Sequence, residues 1–168
     1  MLELFEDCKI SCEAEQLKEK ASWQDLVKLR GIANFQFGKS VGDTLFPDLV
    51  NVVRSSKTKR IKLIYYKNEL LATLRPADGH LGLSLAGARR ILGKVKNHPS
   101  IIMVQSDVGS FIKRGRNVFA KHVVKVDDEI RPQDEVIIVD QRAHLLAVGR
   151  AMLSGEEMRS FKSGIAVK

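Results

Sequence analysis

The sequence predicts an α+β fold in two parts, with N-terminal helices on a small antiparallel sheet followed by a small β pseudo-barrel. Helical segments and strands are mixed over residues 1–98, whereas short strands dominate residues 99–168. A helix-breaking proline separates the two parts. Pro99 cannot continue a helix, and it biases the backbone of His98 away from the helical conformation. We therefore predict one domain over 1–98 and a second over 99–168.

In the first part, apolar residues recur at helical spacing over 10–21 and predict an amphipathic helix. Residues 22–25 resemble a capping box that begins a second, short helix, which Gly31 would end. Ser84 caps a last helix, in which Leu85 is expected to face inward. Between these helices, runs rich in β-branched, aromatic or Leu residues predict strands over 50–54, 61–66 and 70–74.

In the second part, a helix is expected over 108–113, and a capping box at Ser154 and Glu157 begins another helix that would stop at Gly164. The rest is strand and turn, which favours a small barrel. The predicted strands cover 101–104, 118–126, 135–139, 145–151 and 165–167.

Composition and charge restrict the classes of function that this chain can have. Of 168 residues, 44% are hydrophobic and 29% charged, which is typical of globular proteins. Lys and Arg number 28 against 20 acidic residues, and the net charge of +8 indicates a polyanionic partner. The sequence has no apolar run of about 20 residues, the length that a membrane helix needs, and its start is acidic, unlike a signal peptide. We expect a cytoplasmic protein without a membrane contact.

Signatures of catalysis are missing from the sequence. The four His residues are isolated, and Cys8 with Cys12 would need two further ligands to hold zinc. The glycines form no phosphate-binding loop, and the Ser, Asp and His residues form no nucleophile elbow. We therefore expect no catalytic residue, no metal and no cofactor in this chain.

Two basic clusters are the more informative signals. Residues 54–67 carry six cations and no acid, with Lys57, Lys59 and Arg60 at the tip of a predicted hairpin, either a solvated loop or a phosphate contact. The second cluster follows the predicted helix over 108–113. Its glycine would allow the backbone to approach a phosphate closely, and the guanidinium groups of its arginines match phosphate oxygens. Alternatively, the cluster is an ordinary helix C-terminus, where cations are favoured by the helix dipole. It consists of Lys113, Arg114, Gly115, Arg116 and Asn117, followed by Lys121.

The second cluster lies inside a run that resembles the PUA domain, a family named for pseudouridine synthases and archaeosine transglycosylases. The run is Phe-Ile-Lys-Arg-Gly-Arg-Asn-Val-Phe-Ala at 111–120. The similarity continues over 130–136, 146–151, 154–158 and 162–168, and Gln133 stands where the family often has Gly. The resemblance implies a pseudo-barrel that grips helical RNA with its first helix, the following strand and the last strand. Carried onto this chain, the RNA contacts are Lys113, Arg114, Gly115, Arg116, Asn117, Lys121, Arg150, Lys162 and Ser163. Apart from this resemblance, the charge of the hairpin predicts a secondary RNA contact at Lys57, Lys59 and Arg60.

The first part resembles the domain that precedes PUA in archaeal tRNA-guanine transglycosylases, over 28–38, 45–47 and 71–79. That enzyme's catalytic TIM barrel of about 250 residues has no counterpart here. The resemblance implies a non-catalytic protein that binds the acceptor region of tRNA in archaeosine modification, either with a separate catalytic transglycosylase subunit or as a stand-alone relative. The alternative is a translation-associated PUA protein that binds ribosomal or initiator RNA.

Overall fold

A computed structural model describes residues 18–94 and 98–168. Cys8, Cys12 and most of the predicted first helix lie outside the described residues. The first part contains three helices, α1 (Trp23–Phe37), α2 (Val41–Leu45) and α3 (Leu85–Lys94). Its strands are β1 (Glu19–Lys20), β2 (Asn51–Arg54), β3 (Ile61–Tyr66), β4 (Glu69–Leu74) and β5 (Leu81–Leu83).

The second part contains two short helices, α4 (Gly109–Lys113) and α5 (Gly155–Ser160), and two 3-10 turns at Ser106–Val108 and Ala120–His122. Its strands are β6 (Ile101–Val104), β7 (Val118–Phe119), β8 (Val123–Lys125), β9 (Glu135–Val139), β10 (Leu145–Arg150) and β11 (Ile165–Val167). Both parts therefore have the predicted α+β architecture.

The N-terminal sheet is fully antiparallel and has the strand order β1-β2-β3-β4-β5. Helix α1 begins at the predicted capping box, in which the Ser22 hydroxyl accepts from the Asp25 N–H. The helix buries Leu29, Ala33 and Phe37 against the sheet, where Ile64 and other apolar residues are fully buried. Burial of an apolar face, which is worth roughly 25 cal/mol per Å², is what holds the helix there.

The second part closes a barrel from a four-stranded sheet of order β10-β9-β6-β8 and a two-stranded ladder of β11 with β7. Strands β6 and β9 are parallel, and the remaining pairs are antiparallel. A bridge between Ala151 and Val167 joins the ladder to the end of β10.

Strand β9 forms the seam between the two parts, because its side chains alternate between two cores. Ile137 and Val139 pack into the N-terminal core, whereas Val136 and Ile138 pack into the barrel core. At the start of the strand, Glu135 is buried and its carboxylate accepts a 2.9 Å hydrogen bond from the Leu83 N–H. Since the seam packs the two parts together, the division at 98 and 99 stays a prediction from the sequence.

Three predictions are wrong in the N-terminal part, two about helix bounds and one about burial. The first helix does not reach Ala21, because β1 pairs with β2 and the Ala21 N–H donates to the Val50 carbonyl. Helix α1 continues through Gly31, since its apolar stripe runs to Phe37, and it ends at Gly38 with a φ of 98°. Leu85 is 44% exposed rather than buried.

Two further predictions are wrong in the barrel. The strand expected over 118–126 is broken by the 3-10 turn at Ala120–His122, which lets β7 pair with β11 and β8 pair with β6. The last helix ends at Ser160 rather than near Gly164, because the Phe161 backbone is already extended. Neither change moves a predicted site residue into the core.

Candidate nucleic-acid interface

The end of α4 presents the central basic cluster. Ile112 is buried and anchors the helix, while the side chains that follow it are exposed. The Phe111 carbonyl accepts from the Arg114 N–H at 3.1 Å and the Arg116 N–H at 3.2 Å, so the chain closes a tight turn around Gly115. Gly115 has a φ of 78°, the left-handed conformation that favours glycine. A Cβ added there would meet no atom within 4 Å, so the turn is open on its outer side.

The ladder of β7 with β11 brings the next predicted residues together. Phe119 pairs with Ile165, and the Ala120 N–H donates to the Gly164 carbonyl at 3.0 Å. This register places Lys121 beside the turn that carries Lys162 and Ser163. All three of these residues are exposed.

Arg150 lies at the other end of the ladder. Its backbone exchanges two hydrogen bonds with Lys168, of 2.8 and 3.0 Å, and its guanidinium donates to Gln133 Oε1 at 3.3 Å. A Cβ at Gly149 would lie 2.5 Å from the Lys168 carbonyl oxygen, so this approach requires glycine. Lys168 is a cation that the sequence reasoning missed, and only the pairing reveals it.

Exposed aromatic rings surround these cations. Phe111, Phe119 and Phe161 are 57%, 44% and 46% exposed and lie in α4, in β7 and next to Lys162. Sequence reasoning gave these three residues no role, because an apolar side chain gives no local sign of facing solvent. Aromatic faces between cations are typical of surfaces that contact nucleic acid.

The barrel cations are unpaired with acids. Within the described ranges, Lys113, Arg114, Arg116, Lys121, Arg150 and Lys162 form no ion pair with a carboxylate. Their charge is therefore free for an anionic partner.

The hairpin cluster belongs to the N-terminal part. The β2–β3 turn is closed by a 2.9 Å hydrogen bond from the Ser55 N–H to the Arg60 carbonyl. Lys59 and Arg60 border an open groove of about 780 Å³, whereas Lys57 does not line it. Lys57, Lys59 and Arg60 are all exposed.

Two family profiles match the chain and divide it between them. Residues 27–97 match the patch-forming domain C2 of tRNA-guanine transglycosylase, and residues 100–168 match the PUA domain. This chain is a PUA-domain protein. It resembles the C-terminal region of archaeal tRNA-guanine transglycosylase, as the sequence predicted.

Curated relatives of this PUA protein are tRNA-guanine(15) transglycosylases of archaea. The protein of Methanobrevibacter smithii is 39% identical over 86% of this chain, and that of Thermococcus kodakarensis is 42% identical over 82% of it. The protein of Methanosphaera stadtmanae is 34% identical over the whole chain. These matches cover 22%, 23% and 26% of the relatives, so the chain spans about a quarter of their length.

Solved structures share the fold. A hypothetical protein of Pyrococcus horikoshii superposes with a TM-score of 0.73 at 21% identity, covering 90% of this chain and 91% of its own. A PUA domain protein of Thermoplasma acidophilum gives a TM-score of 0.67 at 18% identity, covering 90% of each chain. The predicted order of helices, antiparallel sheet and PUA barrel is thus an arrangement seen before.

The PUA turn at Gln133 shows how this chain departs from the family pattern. Gln133 adopts a φ of 79°, the left-handed conformation that the more usual glycine adopts without strain. Gln133 therefore adopts the backbone conformation that a glycine would have at this turn. Its side chain adds a contact, because Oε1 accepts a hydrogen bond from the Arg150 guanidinium.

Residues 18–94 and 98–168 contain no group of three or more His, Cys, Asp or Glu side chains that is arranged to hold a metal ion. No helix in this range is both long and apolar enough to span a bilayer.

Proposed function

We propose that this PUA protein binds the acceptor region of tRNA through the barrel cations and contributes no catalytic group. The observation that carries the proposal is the open turn at Gly115, flanked by Arg114 and Arg116. Within residues 18–94 and 98–168, neither Arg forms an ion pair with a carboxylate. Arg forks fit phosphate oxygens, and a backbone without a Cβ can approach the RNA closely. Proteins recognise A-form helices by such contacts to phosphates and 2′-hydroxyls rather than by reading bases.

The complete set of proposed contacts follows the ladder of β7 and β11. Lys121, Lys162 and Ser163 are at one end, and Arg150 is at the other. The cluster of Lys113, Arg114, Gly115, Arg116 and Asn117 leads into β7 from α4. Contacts of this kind fix the position and register of an RNA rather than perform chemistry on it.

The comparison of RNA with DNA tests the proposal. Folded tRNA is expected to bind more tightly than a DNA duplex of similar length at matched salt, because DNA lacks 2′-hydroxyls and A-form geometry. Fluorescence anisotropy titrations measure both dissociation constants. Equal constants would reduce the interaction to bulk attraction by a protein of net charge +8.

We propose further that the catalytic portion of a transglycosylase is the protein partner, acting in the cytoplasm on the tRNA that this chain holds. One stripe of α1 supports this, because Trp23, Val27 and Phe35 follow helical spacing and are 77%, 50% and 84% exposed. The relatives are roughly four times as long as the matched region, so they contain further chain that such a stripe can contact.

An association experiment tests the partner. Trp23→Ser with Phe35→Ser is expected to prevent co-elution with the catalytic portion of a transglycosylase from the same organism while RNA affinity stays the same. Guanine exchange into tRNA is expected only when both proteins are present. Exchange by this chain alone would contradict the non-catalytic assignment.

A further inference from the structure

The groove of about 780 Å³ on the N-terminal sheet combines cations with apolar side chains. It is bordered by α1, by the β2–β3 turn, by β3 and by the end of β4. Partly or fully buried apolar residues, among them Ile32, Ile61 and Leu63, form part of its lining. Its volume falls within the roughly 300–1,000 Å³ of sites that hold small ligands or single groups.

The cations of the groove fall into two sets. Arg54 is neutralised, since it donates to Glu19 and, at 2.6 Å, to Asp25. Hydrogen bonds from Ser22 and Arg54 outweigh the effect of burial and hold the pKa of Asp25 below its usual value. The other set, Lys28, Lys59, Arg60 and Lys62, forms no ion pair with any carboxylate in the described ranges.

The groove is adjacent to the barrel cations. Arg75 lines the groove, and its Nη1 lies 3.9 Å from Glu135 Oε2. Glu135 is in turn the cross-strand partner of Arg150, the barrel residue that pairs with Lys168. Side chains of cross-strand partners lie about 5 Å apart on the same face of a sheet. Arg75 and Arg150 therefore both lie near the Glu135 carboxylate, which places the groove next to the Arg150 end of the barrel.

Arg75 is fixed at the edge of the groove by two carboxylates. Its buried Nε lies 3.3 Å from Asp78 Oδ1, and its Nη1 lies 3.9 Å from Glu135 Oε2.

We propose that this groove binds unpaired nucleotides of the RNA whose helical part is held by the barrel. Apolar side chains can accept the face of an unpaired base, and the cations can hold its phosphates. A duplex cannot use such a surface, because its base faces are covered by stacking. The proposal rests on the proposed RNA-binding function and adds a second site with a different ligand, single-stranded RNA.

The test uses three RNA hairpins with the same stem: one blunt, one with a short single-stranded 3′ tail, and one with a 5′ tail. At least one tail is expected to tighten binding to the full chain by about tenfold, roughly the effect of one hydrogen bond from a cation to a phosphate. The groove variant Lys28→Ala with Lys62→Ala is expected to abolish that gain and leave the affinity for the blunt hairpin unchanged. Both of these side chains are exposed, so folding is preserved.

A matched control separates the groove from net charge. Lys39→Ala with Lys94→Ala removes the same charge from exposed positions outside the groove lining and is expected to keep the tail gain. The inference is overturned if neither tail tightens binding, if the groove variant keeps the gain, or if the groove and control variants lose it equally. The blunt hairpin tests the proposed function separately. That function fails if the variant Arg114→Ala with Arg116→Ala binds the blunt hairpin as tightly as the unaltered protein does.

Discussion

The barrel cluster around Gly115 and the N-terminal groove both carry positive charge, but they present it differently. The barrel cations stand on a protruding turn and on a ladder of two short strands, without acidic partners in the described ranges. In the groove, Arg54 and Arg75 are tied to carboxylates, and four neighbouring cations remain free. A protruding cationic turn fits the outside of an RNA helix, whereas a lined groove fits a single strand. Net charge alone does not distinguish these two surfaces.

The largest effect is expected from the barrel cluster. Changing Arg114 and Arg116 together to Ala should weaken tRNA binding by about 2 kcal/mol, roughly 30-fold, because two phosphate contacts are lost. The affinity is measured by anisotropy across a salt series. With about four phosphates neutralised, the log–log slope of the unaltered protein should be about −3, and the variant slope should be flatter by about 1 to 2.

The control for this comparison is the exposed pair Lys39→Ala with Lys94→Ala, which removes an equal charge. A barrel site predicts a small loss for the control and a large loss for the Arg pair. If both pairs lose the same affinity, bulk attraction explains the binding. If the groove pair Lys28→Ala with Lys62→Ala loses more than the Arg pair on a blunt hairpin, the helical RNA lies on the N-terminal part.

Gly115→Ala separates folding from binding in the barrel cluster. Its positive φ should cost about 1 kcal/mol of unfolding free energy, because Ala is strained in the left-handed region. The added Cβ meets no protein atom, so it projects toward the space where RNA is expected. Urea unfolding measures the first effect and tRNA titration the second. Unchanged RNA affinity would mean that the RNA does not approach this backbone.

Gln133→Gly should have the opposite effect on stability. Glycine relieves the strain of the left-handed backbone, which stabilises the folded state, but it also makes the unfolded chain more flexible, which opposes folding. The net result should be a rise of about 0.5 kcal/mol in the unfolding free energy. Arg150 loses its 3.3 Å contact with Gln133 Oε1 and becomes free for phosphate, so RNA binding should not weaken. Weaker binding would show that Gln133 positions Arg150 for the RNA.

The smallest effect is expected at Glu135, which lies between the two surfaces. Burial raises the pKa of its carboxyl above the usual value, so the native state holds this proton more tightly than the unfolded chain does. Stability is then lost as the pH rises through the raised pKa. Glu135→Gln should remove this dependence and leave the unfolding free energy at neutral pH equal or slightly higher. The Gln oxygen can still accept from the Leu83 N–H.

Urea unfolding of both forms across a range of pH measures the effect of Glu135. A loss at neutral pH greater than about 1 kcal/mol would show that the attraction of Arg75 outweighs the cost of burying the carboxylate. In that case the ion pair would be a main link between the groove and the barrel.

The sequence alone determined the elements whose signals are local. Strands β3, β6, β9 and β11 have the predicted bounds, and the capping boxes at Ser22 and Ser154 begin helices as expected. These features depend on neighbouring residues only, through side-chain alternation or a hydrogen bond across three residues. The PUA resemblance was likewise contained in short, ordered runs, and the family profile confirms it.

Tertiary structure decided what depends on distant partners. The strand at Glu19–Lys20 exists because β2 pairs with it, and the break at Ala120–His122 follows from β7 and β8 joining different partners. Distant contacts also explain three features of the two surfaces. They leave Phe111 exposed, place Lys168 beside Arg150, and bring α1, β3 and β4 together around one groove. Each results from contacts between residues far apart in the chain, which no local pattern records.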